Sequence, residues 1–291
     1  MLLVINVNNT NTLLGVYEGK RLLAHWRLMT NHQQTVDGYG LMARNLLQLA
    51  GIDAGKIDGI IISSVVPPLD RTVAELAQRY FNLTPLFVGP GIKTGIRIHY
   101  DNPQEVGADR IANAVAAFEK YGGPAVVVDF GTAITFDALS AAGEYLGGII
   151  FPGINIASDA LFQRAARLPR VSFGEPEKLI GTNTVGSIQS GLYHGFLAAV
   201  DGIIDRMKEE MGPATRVIAT GGQASLLASA SRHQPQVDEF LTLDGLRLLY
   251  QRNREPKTKA AKRASSAPAG GKKSAGRKKS AGRSSRSRPR S

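Results

Sequence analysis

An aspartate and an arginine stand side by side at the start of a helical pattern, where both could take part in phosphoryl transfer. The segment Gly107-Ala108-Asp109-Arg110 directly precedes an alanine-rich stretch with helical periodicity. The dipole at a helix N-terminus favours the carboxylate form of Asp109 and also favours a bound anion. An ionised aspartate can accept the proton of an alcohol that attacks a γ-phosphate, and Arg110 can hold a carboxylate through a bidentate pair. Two structural alternatives stay open: Asp109 is a helix N-cap, and Arg110 is a surface cation.

Two polar turns between apolar strands offer further groups for binding an anion. The first apolar run ends at Asn6 and is followed by Asn8, Asn9, Thr10, Asn11 and Thr12, which tolerate turns and supply amide and hydroxyl donors. When Asn6 is aligned with Asp129, a strand, a polar turn and a second strand recur at an offset of 123 residues. This match predicts an internal duplication whose hairpins face each other across a cleft and surround a polyphosphate. The alternative is a chance match, since strand-turn-strand patterns are common.

Alternating strand and helix patterns must position these turns, and they predict an α/β fold. Strands are predicted at the segments LLVINV, GIIISSVV, PLFVG and AVVVDFGTAITFDAL. Helices are predicted at residues 39–50, 69–80 and 188–211. The segment VIATGG at residues 217–222 predicts a strand that enters a glycine turn, which either passes close to a nucleobase or ribose or serves only as a strand-to-helix turn.

Composition excludes several classes of site. The chain has 291 residues, 43% of them apolar, and no cysteine, which rules out disulfides, thiolate metal sites and cysteine nucleophiles. No apolar stretch approaches the roughly 18 residues that cross a membrane, and no basic segment precedes the first apolar run. We therefore expect a soluble, unprocessed protein without membrane contact, in the cytoplasm.

The basic charge is concentrated at the C-terminus. The net charge is +11, but thirteen of the 35 Lys and Arg residues lie in residues 256–291, which contain no acidic residue. The remaining 22 basic and 24 acidic residues leave residues 1–255 with a net charge of −2. The segment repeats KKSAGR and has almost no apolar residues, so we expect a disordered tail. It either binds nucleic acid or another polyanion weakly or acts only as a solubilising tail.

Six segments in order resemble the type III pantothenate kinases, a family of the acetate and sugar kinase, Hsc70 and actin superfamily. They are NTNT, GADR, DFGTAITFD, GGIIFPG, GTNTVGSIQSG and ATGG, and the resemblance covers about residues 1–250. It implies two ribonuclease H-like (actin-like ATPase) domains with a cleft between them, at residues 1–118 and 119–255, followed by the tail at 256–291. It also implies ATP-dependent phosphorylation of pantothenate, the first step of coenzyme A synthesis, by a homodimer whose substrate pocket lies near the dimer interface.

The resemblance also implies roles for individual residues. Asp109 corresponds to the general base, and Asp129 to the ligand of a monovalent cation, K⁺ or NH₄⁺, while Mg²⁺ or another divalent ion accompanies ATP. The implied ATP-binding residues are Asn6, Val7, Asn8, Asn9, Thr10, Asn11, Thr12, Leu13 and Thr132. The implied pantothenate-binding residues are Tyr100, Gly107, Ala108, Asp109, Arg110 and Thr184.

The first hairpin departs from the family pattern. Members usually have Asp-x-Gly-Asn-Thr where this chain has Asn6-Val7-Asn8-Asn9-Thr10, so a charge and a glycine are missing. Asn8 can take the left-handed conformation of a glycine, and Asn6 keeps an acceptor oxygen that could hold a magnesium-bound water. Three hypotheses follow: an active pantothenate kinase, a degenerate kinase that acts as a regulatory or nucleic-acid-associated binding protein, or another kinase or phosphatase of the superfamily. We prefer the first.

Overall fold

The first half of the chain forms a five-stranded mixed sheet. The computed structural model describes residues 1–165 and 167–254. The strands are β1 (Leu2–Val7), β2 (Asn11–Glu18), β3 (Arg21–Met29), β4 (Gly59–Ser64) and β5 (Leu86–Phe87). Their order is β3-β2-β1-β4-β5, in which β1, β2 and β3 pair antiparallel while β4 is parallel to β1 and β5 to β4.

The second sheet repeats this arrangement strand for strand. Its strands are β6 (Ala125–Phe130), β7 (Ala133–Leu139), β8 (Tyr145–Pro152), β9 (Arg216–Gly221) and β10 (Gln236–Val237). The order β8-β7-β6-β9-β10 has the same parallel and antiparallel pairs. Asn6 and Asp129 are the penultimate residues of the two equivalent strands, paired in parallel with Ser63 and Thr220. The predicted α/β fold with duplicated ribonuclease H-like units is therefore confirmed.

Seven α-helices connect and cover the sheets in the part of the chain that the structure describes. They are α1 (Val36–Leu49), α2 (Pro67–Phe81), α3 (Ala108–Tyr121), α4 (Ile154–Arg164), α5 (Thr184–Met211), α6 (Ala224–Ala230) and α7 (Leu241–Asn253). Short 3-10 helices occupy Ala54–Lys56 and Pro103–Glu105. Helices α1 and α5 begin earlier than their apolar periodicity predicts, because Thr35 and Asn183 cap them by accepting hydrogen bonds from backbone amides.

Three apolar cores hold these layers together. One lies between the first sheet and helices α1 and α2, and another packs the second sheet against α4, α5 and α6. The third core contains residues of both sheets, such as Val4 and Val127, together with α3 and α7. Helix α7 packs on β1, β2 and β4 of the first sheet and also against α3. The last helix of each half therefore belongs to a layer that both sheets share.

Two predictions about chain organisation stay predictions. The predicted domain boundary at residues 118/119 falls inside α3, and the division into two domains stays a prediction. The predicted disordered basic tail, residues 256–291, lies outside the described residues. Among the residues that are described, no helix is both long enough and apolar enough to cross a membrane.

Candidate active site

The tips of the two equivalent hairpins meet. The hydroxyl oxygens of Thr10 and Thr132 are 2.8 Å apart, which joins the β1–β2 turn to the β6–β7 turn. The predicted first tip is too long, because Asn11 and Thr12 already belong to β2. Thr12 is buried and its hydroxyl shares a hydrogen bond of 2.9 Å with Thr30. The backbone amides of Asn8 and Gly131 already donate to the carbonyls of Asn11 and Ala133. The donors that remain at this junction are therefore the hydroxyls of Thr10 and Thr132 and the side-chain amide of Asn9.

The end of β1 carries buried polar atoms without partners among the described residues. They are Oδ1 of Asn6, Oδ1 of Asn8 and the hydroxyl of Ser63. Asn6 is only 1% exposed and lies opposite Ser63 in the sheet. Asn8 does not use the left-handed conformation that it could take: within the described residues, the non-glycine residues with positive φ are Asn82 and Gln234. Buried acceptors of this kind normally have a partner, so this is a place where a ligand or water can bind.

Asp109 lies in the first turn of α3, but it is not the N-cap. Gly107 occupies the capping position, and the Asp109 Oδ1 accepts a 2.8 Å hydrogen bond from the Arg110 backbone amide. A Cβ on Gly107 would lie 2.7 Å from this oxygen, so the glycine leaves room for the carboxylate. Burial raises the pKa of Asp109, and the Arg110 amide and charge partly oppose that rise. The result is a half-buried carboxylate with increased basicity at a helix N-terminus.

Two consecutive hydrogen bonds connect Asp129 to helices α3 and α7 of the shared layer. Its Oδ2 accepts a 2.9 Å hydrogen bond from Nδ2 of Asn113 on α3, whose Oδ1 accepts a 2.7 Å hydrogen bond from the Thr242 hydroxyl on α7. The other carboxylate oxygen lies where a Cβ on Gly221 would come within 2.6 Å. Burial raises the pKa of Asp129 to about 7, and the negative charge of Asp109 adds to the rise. The two carboxylates are therefore close enough to interact.

Arg110 is buried, and its interpretation as a surface cation is wrong. It is 7% exposed, and its Nε donates a 2.8 Å hydrogen bond to Asp137. Asp137 is fully buried and also accepts a 2.8 Å hydrogen bond from the Tyr145 hydroxyl. Burial raises the pKa of Asp137 to about 6, although Arg110 and Tyr145 lower it, while the charge of Asp137 helps to raise the pKa of Arg110. The guanidinium group is thereby fixed beside Asp109.

Tyr100 joins this cluster from the loop before α3. Its ring lies 6.3 Å from that of Tyr145, between ring centres, and 3.7 Å from the place of a Cβ on Gly147. The Arg110 guanidinium carbon is 5.9 Å from the centre of the Tyr145 ring, and its Nη2 has no hydrogen-bond partner among the described residues. The predicted substrate residues Tyr100, Gly107, Ala108, Asp109 and Arg110 are thus brought together.

Thr184 is not part of this cluster. It is the first residue of α5 and lines a separate cavity of about 690 Å³, together with Leu161, Leu168, Asn183 and Ile188. Neither Asp109 nor Arg110 lines that cavity. The role of Thr184 in binding pantothenate stays a prediction.

Four residues that position the site were not predicted from the sequence: Asn113, Asp137, Tyr145 and Thr242. A signal existed for Asp137, because a lone acidic residue in the apolar strand FDAL needs a buried partner. No signal pointed to Thr242, whose neighbour Asn113 lies 129 positions away in the chain.

The duplicated sheets, with polar hairpin tips in contact, have the duplicated ribonuclease H-like architecture that is expected of the acetate and sugar kinase, Hsc70 and actin superfamily. A family model described as type III pantothenate kinase matches residues 2–206. The chain belongs to this family, whose members are kinases.

Curated relatives that carry the family name match over nearly their whole length. The relative from Koribacter versatilis is 58% identical over 263 residues, which cover 87% of this chain and 96% of the relative. The relative from Myxococcus xanthus is 57% identical over 253 residues, covering 87% of this chain and 99% of the relative.

Solved structures with the same fold are more distant in sequence. A Baf family protein from Campylobacter jejuni has a TM-score of 0.53 at 21% identity, covering 86% of this chain and 98% of its own. The ethanolamine utilization protein EutJ from Carboxydothermus hydrogenoformans has a TM-score of 0.52 at 12% identity, covering 85% and 89%. These two similarities concern the fold alone.

Proposed function

We propose that this chain phosphorylates pantothenate with ATP to give 4'-phosphopantothenate, the first step of coenzyme A biosynthesis. The observation that carries the proposal is the position of Asp109: a carboxylate of raised pKa at a helix N-terminus, beside a fixed arginine and close to Asp129. Family membership supplies the substrate. A cytoplasmic location is part of the same proposal.

Asp109 acts as the general base in this mechanism. Its carboxylate takes the proton of the pantothenate hydroxyl as the oxygen attacks the γ-phosphorus of ATP. A bond forms between that oxygen and the γ-phosphorus, while the bond from the γ-phosphorus to the β–γ bridging oxygen breaks and ADP leaves. Arg110 and Tyr100 hold the pantothenate carboxylate end, and the hairpin tips at Thr10 and Thr132 hold the phosphates.

The residues present fit the cations that the family implies. Oδ1 of Asp129 is a hard oxygen ligand, and a Cβ at Gly221 would come within 2.6 Å of it, so the glycine turn approaches this oxygen more closely than any other residue type would allow. Asp129 would hold the monovalent cation, K⁺ or NH₄⁺. The buried, unpartnered Oδ1 of Asn6 would hold a water of the divalent ion, Mg²⁺. When bound, these cations neutralise phosphate charge.

We expect Asn6→Asp to lower the magnesium concentration for half-maximal activity by roughly tenfold, because a carboxylate attracts the ion more strongly than an amide. Asn6→Ala removes the oxygen and should raise that concentration. Turnover measured across a magnesium titration, with melting temperatures as the folding control, tests both. An inert natural chain that gains catalysis only as Asn6→Asp would instead support the degenerate-kinase hypothesis.

A homodimer would complete the pocket. Exposed apolar side chains occur on β8, on α4 and before α5, including Ile150, Phe162, Leu179 and Ile180. The loop before α5 is held to that helix by the Ser190 hydroxyl, which donates to the Leu179 carbonyl. Large exposed apolar areas mark interfaces, and a second copy could bring its Thr184 to the Arg110 cluster.

The proposed dimer interface can be tested at Ile180, whose side chain is 80% exposed. Ile180→Asp should give a monomer with intact secondary structure and little turnover, because the charge cannot be buried in an apolar interface. Leu49→Asp is the matched control, since Leu49 is 85% exposed at the end of α1. Sedimentation velocity and turnover of both variants decide: a dimeric Ile180→Asp protein would contradict the proposed interface.

Formation of ADP in the presence of pantothenate tests the function itself. We expect turnover that needs pantothenate and increases with added K⁺ or NH₄⁺. ADP formation that does not depend on pantothenate would favour a different acceptor, and its complete absence would favour the degenerate-kinase hypothesis.

The binding of a polyanion by the basic tail is a separate proposal, tested by retention of the full chain on a nucleic-acid column at low salt.

A further inference from the structure

An arginine of the first sheet reaches the glycine turn of the second. Arg27 lies on β3, and its Nη1 is 2.9 Å from the position that a Cβ on Gly222 would occupy. Gly222 follows β9, directly after Gly221, whose φ is +94°. A side chain at Gly222 would therefore collide with the guanidinium group, and the bare turn leaves this approach open.

The sheet register explains why Arg27 faces this region. Asn6 is paired with Leu13, and Leu13 with Arg27, in successive antiparallel pairs. Directly opposed residues project to the same face of a sheet. Arg27 therefore shares the face of Asn6, at the end of the sheet where the Thr10 and Thr132 hydroxyls meet. The neighbouring Trp26 and Leu28 pack on the opposite face, against the core formed with α1 and α2.

Among the described residues, the guanidinium group of Arg27 has no counter-ion within 4 Å. Arg27 is exposed, and its side chain forms no hydrogen bond and no ion pair within 4 Å among residues 1–165 and 167–254. Its charge nevertheless acts on Asp129. Burial is the main cause of the raised pKa of Asp129, and the positive charge of Arg27 opposes that rise. The arginine thus lies beside the glycine turn of the second sheet, and its donors have no partner among the described residues.

We propose that Arg27 binds the terminal phosphate groups of ATP, reaching them from the first sheet across the junction of the two hairpins. A guanidinium group presents two parallel donors to phosphate oxygens and stays charged throughout the reaction. It also compensates in part for the charge that develops on the β–γ bridging oxygen when ADP leaves. This role rests on the proposed kinase function and adds a cation to the amides and hydroxyls of the hairpins.

Calorimetric binding of ATP, measured without pantothenate, tests Arg27 separately from the identity of the acceptor. Arg27→Gln should weaken ATP binding by about 10- to 100-fold, since a hydrogen bond to a charged group is lost. Arg27→Lys should lie between this variant and the natural chain, because it keeps the charge but not the planar fork. Arg21→Gln is the matched control, an exposed arginine at the other end of β3 that should change ATP affinity less than twofold.

Turnover and unfolding complete the test. With saturating ATP, Arg27→Gln should also lower kcat by about tenfold or more, while its melting temperature stays within about 2 °C because the side chain is exposed. ATP affinity and kcat within twofold of the natural chain would overturn the proposal, as would an equal loss in Arg21→Gln. If the natural chain binds ATP in an Arg27-dependent manner but does not phosphorylate pantothenate, the proposed acceptor is wrong and the role of Arg27 stands.

Discussion

Replacing Asp109 by asparagine should lower kcat by roughly 10² to 10⁴ while ATP binding survives. Asparagine is nearly the same size and can keep a hydrogen bond from the Arg110 amide through its carbonyl oxygen, but it cannot accept the proton of the attacking hydroxyl. The loss should appear in kcat, because the base acts only as the hydroxyl attacks. Single-turnover rates and calorimetric binding of ATP measure the two properties separately.

Asp101→Asn is the control for this experiment. Asp101 is an exposed carboxylate eight positions earlier in the chain, so its replacement changes net charge by the same amount. It should leave kcat within twofold of the natural value. If Asp109→Asn also keeps activity within a few-fold, Asp109 is not the base and another group must take the proton.

Replacing Asp137 by alanine should reduce the free energy of unfolding by about 3 to 5 kcal/mol. The change leaves the buried guanidinium group of Arg110 without its counter-ion and the Tyr145 hydroxyl without its acceptor. A buried charge without a partner costs far more than the pair itself contributes. Urea denaturation gives the free energy, and the Michaelis constant for pantothenate should rise as Arg110 loses its fixed orientation.

A surface ion pair supplies the contrast. Arg170 and Asp159 are separated by 2.7 Å, like the buried pair in distance, but their side chains are 66% and 43% exposed. Asp159→Ala should therefore cost less than about 1 kcal/mol. The double variant Asp137→Ala with Arg110→Met should regain part of the stability without regaining pantothenate affinity. An Asp137→Ala protein as stable as the natural chain would show that Arg110 finds another counter-ion or water.

Features of the fold that depend on a local sequence pattern could be predicted from the sequence. The equivalence of Asn6 and Asp129 follows from apolar strands that end in polar turns, and the position of Asp109 at a helix start follows from Gly107 and the alanine-rich pattern behind it. Burial of Arg110 was not predictable in this way, because its partner Asp137 is 27 positions away on another element. Outside the duplicated hairpins, no sequence pattern indicated which distant groups meet, and the side chain of Arg27 approaches a glycine 195 positions later.

The backbone conformation of single residues is a second property that the sequence does not determine on its own. Asn8 stands where the resemblance implies a glycine, and asparagine tolerates a positive φ better than most residues. Its carbonyl oxygen accepts a 2.6 Å hydrogen bond from the Thr30 hydroxyl and its amide donates 3.1 Å to the Asn11 carbonyl. With these two hydrogen bonds, the backbone of Asn8 keeps a φ outside the left-handed region, which asparagine adopts without strain.

The shared helical layer has a consequence for synthesis on the ribosome. The first sheet is complete in sequence at Phe87, yet α7, which packs on its inner face, begins only at Leu241. At about 5 to 20 residues per second, the ribosome needs roughly 10 to 30 s to make the intervening chain. For that time the apolar inner face of the nascent sheet lacks its permanent cover. We expect newborn chains to depend on holding chaperones over this interval, and translation stalled before Leu241 to release aggregation-prone fragments.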